Sequence, residues 1–204
     1  DTRLSRGLGD VYKRQPTEQL NVREGKQFLE PFTSMNPFHC VPFLELDDGT
    51  VISESISICR YLEEIYPNPA LFGTTAETRA IIDMWLRRFE LDGFLPMLHA
   101  VRNHLENFKG RVIPGTRTDL PQVPQMVTRG IEMGKMFLER VEPHMAENEF
   151  VAGSRFSVAD ITAFFTIKLT TPLKIDINAS YPGVAAWMDR MSKREAFNLS
   201  LIHI

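Results

Sequence analysis

The chain has 204 residues, enough for one large domain or two small ones, and 43% of them are hydrophobic, which supports a real core. A formal net charge of −3 gives no argument for a nucleic-acid or anionic-membrane partner. No apolar run approaches the roughly 20 residues that span a bilayer, and two cysteines, Cys40 and Cys59, are too few for a disulfide scaffold, which fits a reducing cytosol.

In chain order, Asp1 to Gln15 shows neither strand alternation nor helical periodicity, and it lacks the apolar stretch of a signal peptide. It resembles translated adapter sequence, as does Leu199 to Ile204, so residues 1–16 are expected to be a non-native leader. Glu18 to Val22 alternates and is predicted to be a strand, and Glu24 to Phe32 predicts a weak, irregular helix. Asn36 to Tyr66 then reads as strand, turn, strand and helix with almost no filler. Pro42 to Leu46 alternates, Asp48-Gly49 supplies a two-residue hairpin turn because glycine tolerates positive φ, and Thr50 to Ile52 returns. Ser53-Glu54-Ser55 offers helix-start residues. The following helix is predicted to bury Ile58, Leu62 and Ile65, with Cys59 beside that stripe and Pro67 as its stop. A helix opening beside a β-edge presents free N–H groups and the positive end of its dipole, which suits a carboxylate.

Asn68 to Gly73 is a linker punctuated by Pro and Gly. Thr74 and Glu77 are spaced as a capping box, and the helix they open is predicted to bury Ile82, Trp85, Phe89, Leu98, Val101 and Leu105. Pro96 cannot donate to the carbonyl of Asp92, so a bend is expected beside Gly93. A polar loop with three prolines runs from Arg111 to Pro124, where a helix to His144 begins, carrying Val127, Ile131, Phe137, Leu138 and Val141. Ser157 reads as an N-cap with Asp160 at the third helical position, while Phe156 and Ile161 are placed as a hydrophobic staple. Ile161 to Phe165 is apolar nearly all round and belongs in the core. Tyr181-Pro182 opens a last helix with Val184, Trp187, Met188 and Met191. His99, His104 and His144 lack an i, i+4 partner, and no metal site is expected.

Between Asn36 and Ser55 the chain resembles the glutathione transferase superfamily. Asn36-Pro37, Val41-Pro42, Asp48-Gly49 and Glu54-Ser55 stand in that family's order and spacing. Gly153 to Asp160 resembles the folding motif of the family's helical domain, which is structural and not catalytic. The resemblance covers about Thr17 to Phe197. It implies an α/β thioredoxin-like N-terminal domain over residues 17–73, lacking its first βα unit, and an all-α C-terminal helical domain over residues 74–204. It also implies a bacterial-type cytosolic enzyme, a homodimer that adds its co-substrate glutathione to a small electrophile. The rival readings are a non-catalytic transferase-like module for protein assembly and a glutathione-dependent reductase or dehalogenase. A scaffold need not retain Glu54 and Ser55, and this chain has both.

The same resemblance suggests roles for five residues. Pro42 would be a cis proline, and the backbone of Val41 would pair with the cysteinyl part of glutathione. Glu54 and Ser55 would hold the γ-glutamyl amino and carboxylate groups. His39, in a run Asn36-Pro37-Phe38-His39 similar to that of insect-type members, would meet the glycyl carboxylate; a surface-loop histidine is the alternative. A free cysteine thiol has a pKa of about 8.5, so roughly 3% is thiolate at pH 7. The family lowers that pKa with a Tyr, Ser or Cys from its first strand or first helix. Tyr12 and Ser5 lie in the leader and are not carried over, Cys40 has no histidine-plus-acid partner set, and the catalytic residue is unassigned. A chain lacking that unit is expected to be a poor enzyme.

Overall fold

The computed structural model describes residues 18–197. The leader reading, with Ser5 and Tyr12, and the tail Leu199 to Ile204 lie outside the described residues. The described residues divide into two compact units: one holds residues 18–69, 113–117 and 195–197, and the other holds Ala70–Val112 and Thr118–Arg194.

In the first unit, the strand expected over Glu18 to Val22 does not form: residues 18–21 adopt no regular structure and the chain turns from Val22. The Asn21 side chain is the reason: its Oδ1 accepts from the amides of Arg23 at 3.1 Å and Glu24 at 3.4 Å. Such local bonding competes with a sheet ladder. Gly25, at φ 78, completes the reversal. The irregular helix over Glu24 to Phe32 resolves into a 3₁₀ turn at Lys26–Phe28 and the short helix α1 at Phe32–Met35. Pro31, which has no N–H, stands just before α1.

Strands β1 (Phe43–Glu45) and β2 (Val51–Ser53) pair antiparallel, with Phe43 opposite Ser53 and Leu44 opposite Ile52. The hairpin loop is one residue longer than the expected two-residue turn. The Leu46 amide donates to the Thr50 carbonyl at 2.9 Å, and the Gly49 amide donates back to the Leu46 carbonyl at 2.9 Å. Asp47 is therefore part of the turn, and Gly49 takes the left-handed position at φ 83 that such three-residue loops require. Asp48 Oδ1 accepts from the Thr50 amide at 2.9 Å, and this bond holds the Asp48 carboxyl below its ordinary range.

Helix α2 (Ser55–Ile65) packs on the hairpin; its Leu62 is buried, and Ile58 and Cys59 are half-buried. Ile65, expected inside, is 49% exposed. Three-residue strands span roughly 10 Å whereas eleven helical residues span about 16 Å, so the hairpin cannot cover the last turn.

The second unit is helical. Helix α3 (Ala76–Arg88) is capped by Thr75 rather than Thr74: the Thr78 amide donates to Thr75 Oγ1 at 3.1 Å and the Thr75 amide to Thr78 Oγ1 at 3.0 Å. Gly73 turns the chain at φ 92, tight against Thr78 and Arg79, which leaves Thr75 in the extended backbone an N-cap needs. The expected bend takes the form of a π-helical stretch, Phe89–Phe94, running into helix α4 (Leu95–His104). The wider turn shifts the register of the buried stripe. Leu98 and Leu105 are consequently only half-buried, and Met97 and Ala100 are fully enclosed instead.

Helix α5 (Pro124–Glu147) lies very close to α4. A Cβ at Gly130 would come 2.4 Å from the Pro96 carbonyl oxygen, and one at Gly134 would come 2.8 Å from Met97 Cγ. Helix α6 (Val158–Lys168) is buried along most of its length. Asp160 anchors its start, accepting from the Ser157 amide at 2.9 Å, the Ser157 hydroxyl at 3.1 Å and the Val151 amide at 2.8 Å. Burial raises the Asp160 carboxyl above its ordinary 3.8, against the opposing pull of those hydrogen bonds. The short α7 (Ile177–Ser180) precedes α8 (Pro182–Ser192), whose opening amides at Gly183 and Val184 donate to the Glu142 carboxylate of α5 at 2.6 and 2.9 Å.

Candidate functional site

All five residues singled out for glutathione lie in the first unit, on two short segments that the hairpin register brings together. Val41-Pro42 leads directly into β1, and Glu54-Ser55 leaves β2 directly. Because Phe43 faces Ser53, both pairs sit at the same end of the hairpin. The Val41-Pro42 peptide bond is cis, as the resemblance implies.

At the second segment, Glu54 adopts φ 70 and ψ 121, a left-handed backbone that an L residue with a side chain rarely takes. Such outliers concentrate at functional sites. The Glu54 carbonyl accepts the amide of Ile58 at 3.0 Å and starts α2, but no side chain caps the helix. Ser55 is its first residue and is exposed. The amides of that first turn, the dipole end and the Ser55 hydroxyl therefore form one donor group, with the Glu54 carboxylate beside it.

The first segment is built around Asn36, a residue the sequence reading used only as half of a dipeptide. Its side chain is 2% exposed. Its Nδ2 donates to the Cys40 carbonyl at 2.8 Å, its Oδ1 accepts from the Phe38 amide at 3.2 Å, and its carbonyl accepts from the His39 amide at 2.9 Å. One amide side chain thus folds the five-residue loop that delivers Val41. His39, at φ 52, is half-buried, with its ring centroid 4.8 Å from that of Phe28. Asparagine is suited to this by carrying a donor and an acceptor on one short arm.

A second feature missed in the sequence is the segment Ile113–Arg117, which belongs to this unit although it follows α4. It is seated by Gly115: a Cβ there would lie 1.9 Å from the Phe38 carbonyl oxygen and 2.8 Å from Cys40 Sγ. Glycine at φ 67 is the residue that permits the contact. The sequence signal was present in Pro114-Gly115, but nothing local says which surface a turn docks against.

His144, one of the histidines considered for metal, is engaged structurally. Its Nε2 bonds the Val151 carbonyl at 2.8 Å, and its ring stacks on Trp85 at 4.2 Å. Among the described residues no cluster of His, Cys, Asp or Glu could hold a metal ion, and no helix is long and apolar enough to cross a membrane.

The fold, a short hairpin with a thioredoxin-like helix start and a separate helical unit, is that of the glutathione S-transferases. The family model of the glutathione S-transferase N-terminal domain matches residues 11–65, and that of the C-terminal domain matches residues 131–195. The chain is similar to a class Gtt2 glutathione S-transferase of Vibrio parahaemolyticus, with 34% identity and a TM-score of 0.74 over 91% of this chain and 84% of that one. It is also similar to glutathione S-transferase 1 of Manduca sexta, 29% identical over 87% of this chain and 76% of the relative. Maleylacetoacetate isomerase of Rattus norvegicus is 28% identical over 86% of this chain and 74% of its own length. The chain belongs to the glutathione S-transferase family, a family of enzymes whose co-substrate is glutathione.

Proposed function

We propose that the chain binds glutathione at the hairpin end and conjugates its thiolate to a small electrophile. The observation that carries this reading is the convergence of Val41-Pro42 with the left-handed Glu54 and the uncapped start of α2. The first-turn amides and the Ser55 hydroxyl receive the γ-glutamyl carboxylate, and the Glu54 carboxylate receives the adjacent ammonium. The Val41 backbone pairs with the cysteinyl part, cis Pro42 shapes that edge, and His39 meets the glycyl carboxylate. We assign the glutathione half-site to a thioredoxin-like domain over residues 17–73, with the helical domain after it.

The same reading includes a homodimer in the cytoplasm. Exposed Met126, Met133 and Met136 on α5 offer apolar surface for a second copy. The maleylacetoacetate isomerase relative supports a second reaction type at the same half-site, isomerisation of an unsaturated acid.

Titration calorimetry with glutathione, followed by an assay for thioether formation with a chloronitrobenzene, tests the proposal. Saturable binding together with turnover above the uncatalysed rate supports it. Binding with isomerisation of maleylacetoacetate and no thioether favours the second reading. Absence of binding by the folded chain overturns both.

A further inference from the structure

We propose that Arg117, carried on the segment Ile113–Arg117, is a second anchor for the glycyl carboxylate of glutathione, acting beside His39. The inference rests on the glutathione reading above and adds a specificity-determining residue to it. The segment lies in the first unit, and its Gly115 is seated without a gap on the loop that carries His39. Arg117 is thereby brought onto Phe28: its Cζ lies 5.4 Å from the ring centroid, and the His39 ring lies 4.8 Å from the same ring. Gly25 makes room for the guanidinium, since a Cβ at that position would stand 2.9 Å from Arg117 Nη2.

The guanidinium is thus held between a glycine backbone and an aromatic ring, yet its charge is not spent. Arg117 makes no ion pair and no hydrogen bond among the described residues; its contacts are the Phe28 ring and the Gly25 backbone. A fixed guanidinium with unused planar donors is suited to a carboxylate, which it meets bidentately. It also keeps its charge at every ordinary pH, which an imidazole does not. The pair on Phe28 therefore reads as a two-donor clamp for a terminal carboxylate, with the histidine supplied by the Asn36 loop and the arginine by the segment after α4.

The test compares glutathione with its glycyl monoethyl ester, which lacks that carboxylate charge, by titration calorimetry on the full chain. A hydrogen bond to a charged group changes affinity by roughly tenfold to a hundredfold, and Arg117 is exposed, so about tenfold is expected. Wild type should prefer glutathione over the ester by about that factor. Arg117→Ala should lose most of the preference while binding the ester as wild type does. Arg117→Lys should recover part of it, and raised salt should narrow it because the site is solvent-accessible. Thermal unfolding of each variant separates lost binding from lost fold. Glutathione binding with a preference unchanged in Arg117→Ala overturns the role of Arg117 and leaves the glutathione reading standing. No binding of either ligand by wild type overturns both.

Discussion

The two units solve the problem of staying folded in opposite ways. In the helical unit Phe89, Met97, Leu138, Phe164, Ile167, Val184 and Trp187 are all sealed from solvent, and the helix starts at Thr75, Ser157 and Pro182 are each closed by a bonded side chain. In the first unit the hairpin strands are three residues long, none of their residues is buried, and two non-glycine residues, His39 and Glu54, hold left-handed backbone. One helix start, that of α2, is left open. The helical unit thus supplies most of the sealed apolar core, whereas the first unit carries the open helix start and the left-handed Glu54 at one end of its hairpin.

This contrast predicts where substitutions should hurt. The largest loss of stability is expected from Phe164→Ala, which removes a fully buried ring from α6. Phe→Ala changes in cores cost about 3–5 kcal/mol, measurable by urea unfolding. Asp160→Ala strips the acceptor from three buried donors and should cost about 3 kcal/mol.

Asp160 also gives a pH signature. Its folded-state pKa is raised by burial above 3.8, so the folded chain holds this proton more tightly than the unfolded chain. The stabilising contribution is fully present below 3.8 and is lost as pH rises through the folded value. Wild type measured against Asp160→Asn should show that decline upward from about pH 4, and a flat difference would refute it.

Smaller effects sharpen the contrast. Gly130→Ala forces a methyl to within 2.4 Å of the Pro96 carbonyl oxygen and should cost about 1–3 kcal/mol by overpacking α4 against α5. Ile65→Ala, at the uncovered end of α2, should change unfolding by less than about 0.5 kcal/mol. A large effect at Ile65 would mean that the first unit is more tightly built than its exposure indicates.

The helical half was legible because its signals are local. Ser157 and Asp160 lie three residues apart, and the apolar spacing of Val184, Trp187 and Met191 needs no knowledge of partners. The misplacements have equally local causes: Thr75 displaced Thr74 because Gly73 set the preceding turn, and the π-helical stretch moved burial from Leu98 to Met97. In the first half, alternation over Glu18 to Val22 looked like a strand, and the Asn21 side chain overrode it. Glu54 and Ser55 could be picked by pattern, whereas the role of Asn36 and the docking of Gly115 and Arg117 depend on contacts between residues distant in sequence. Spacing does not encode those.

The open start of α2 is tested most directly by calorimetric titration of glutathione into wild type, Ser55→Ala and Glu54→Ala, with unfolding measured on the same samples. Because both residues are exposed and cap nothing, unfolding should change by less than about 0.5 kcal/mol. Glutathione affinity should fall roughly tenfold to a hundredfold in each variant. Less than about a twofold change in both, or a loss of affinity that simply tracks a loss of stability, would contradict the assignment of this helix start as the glutathione site.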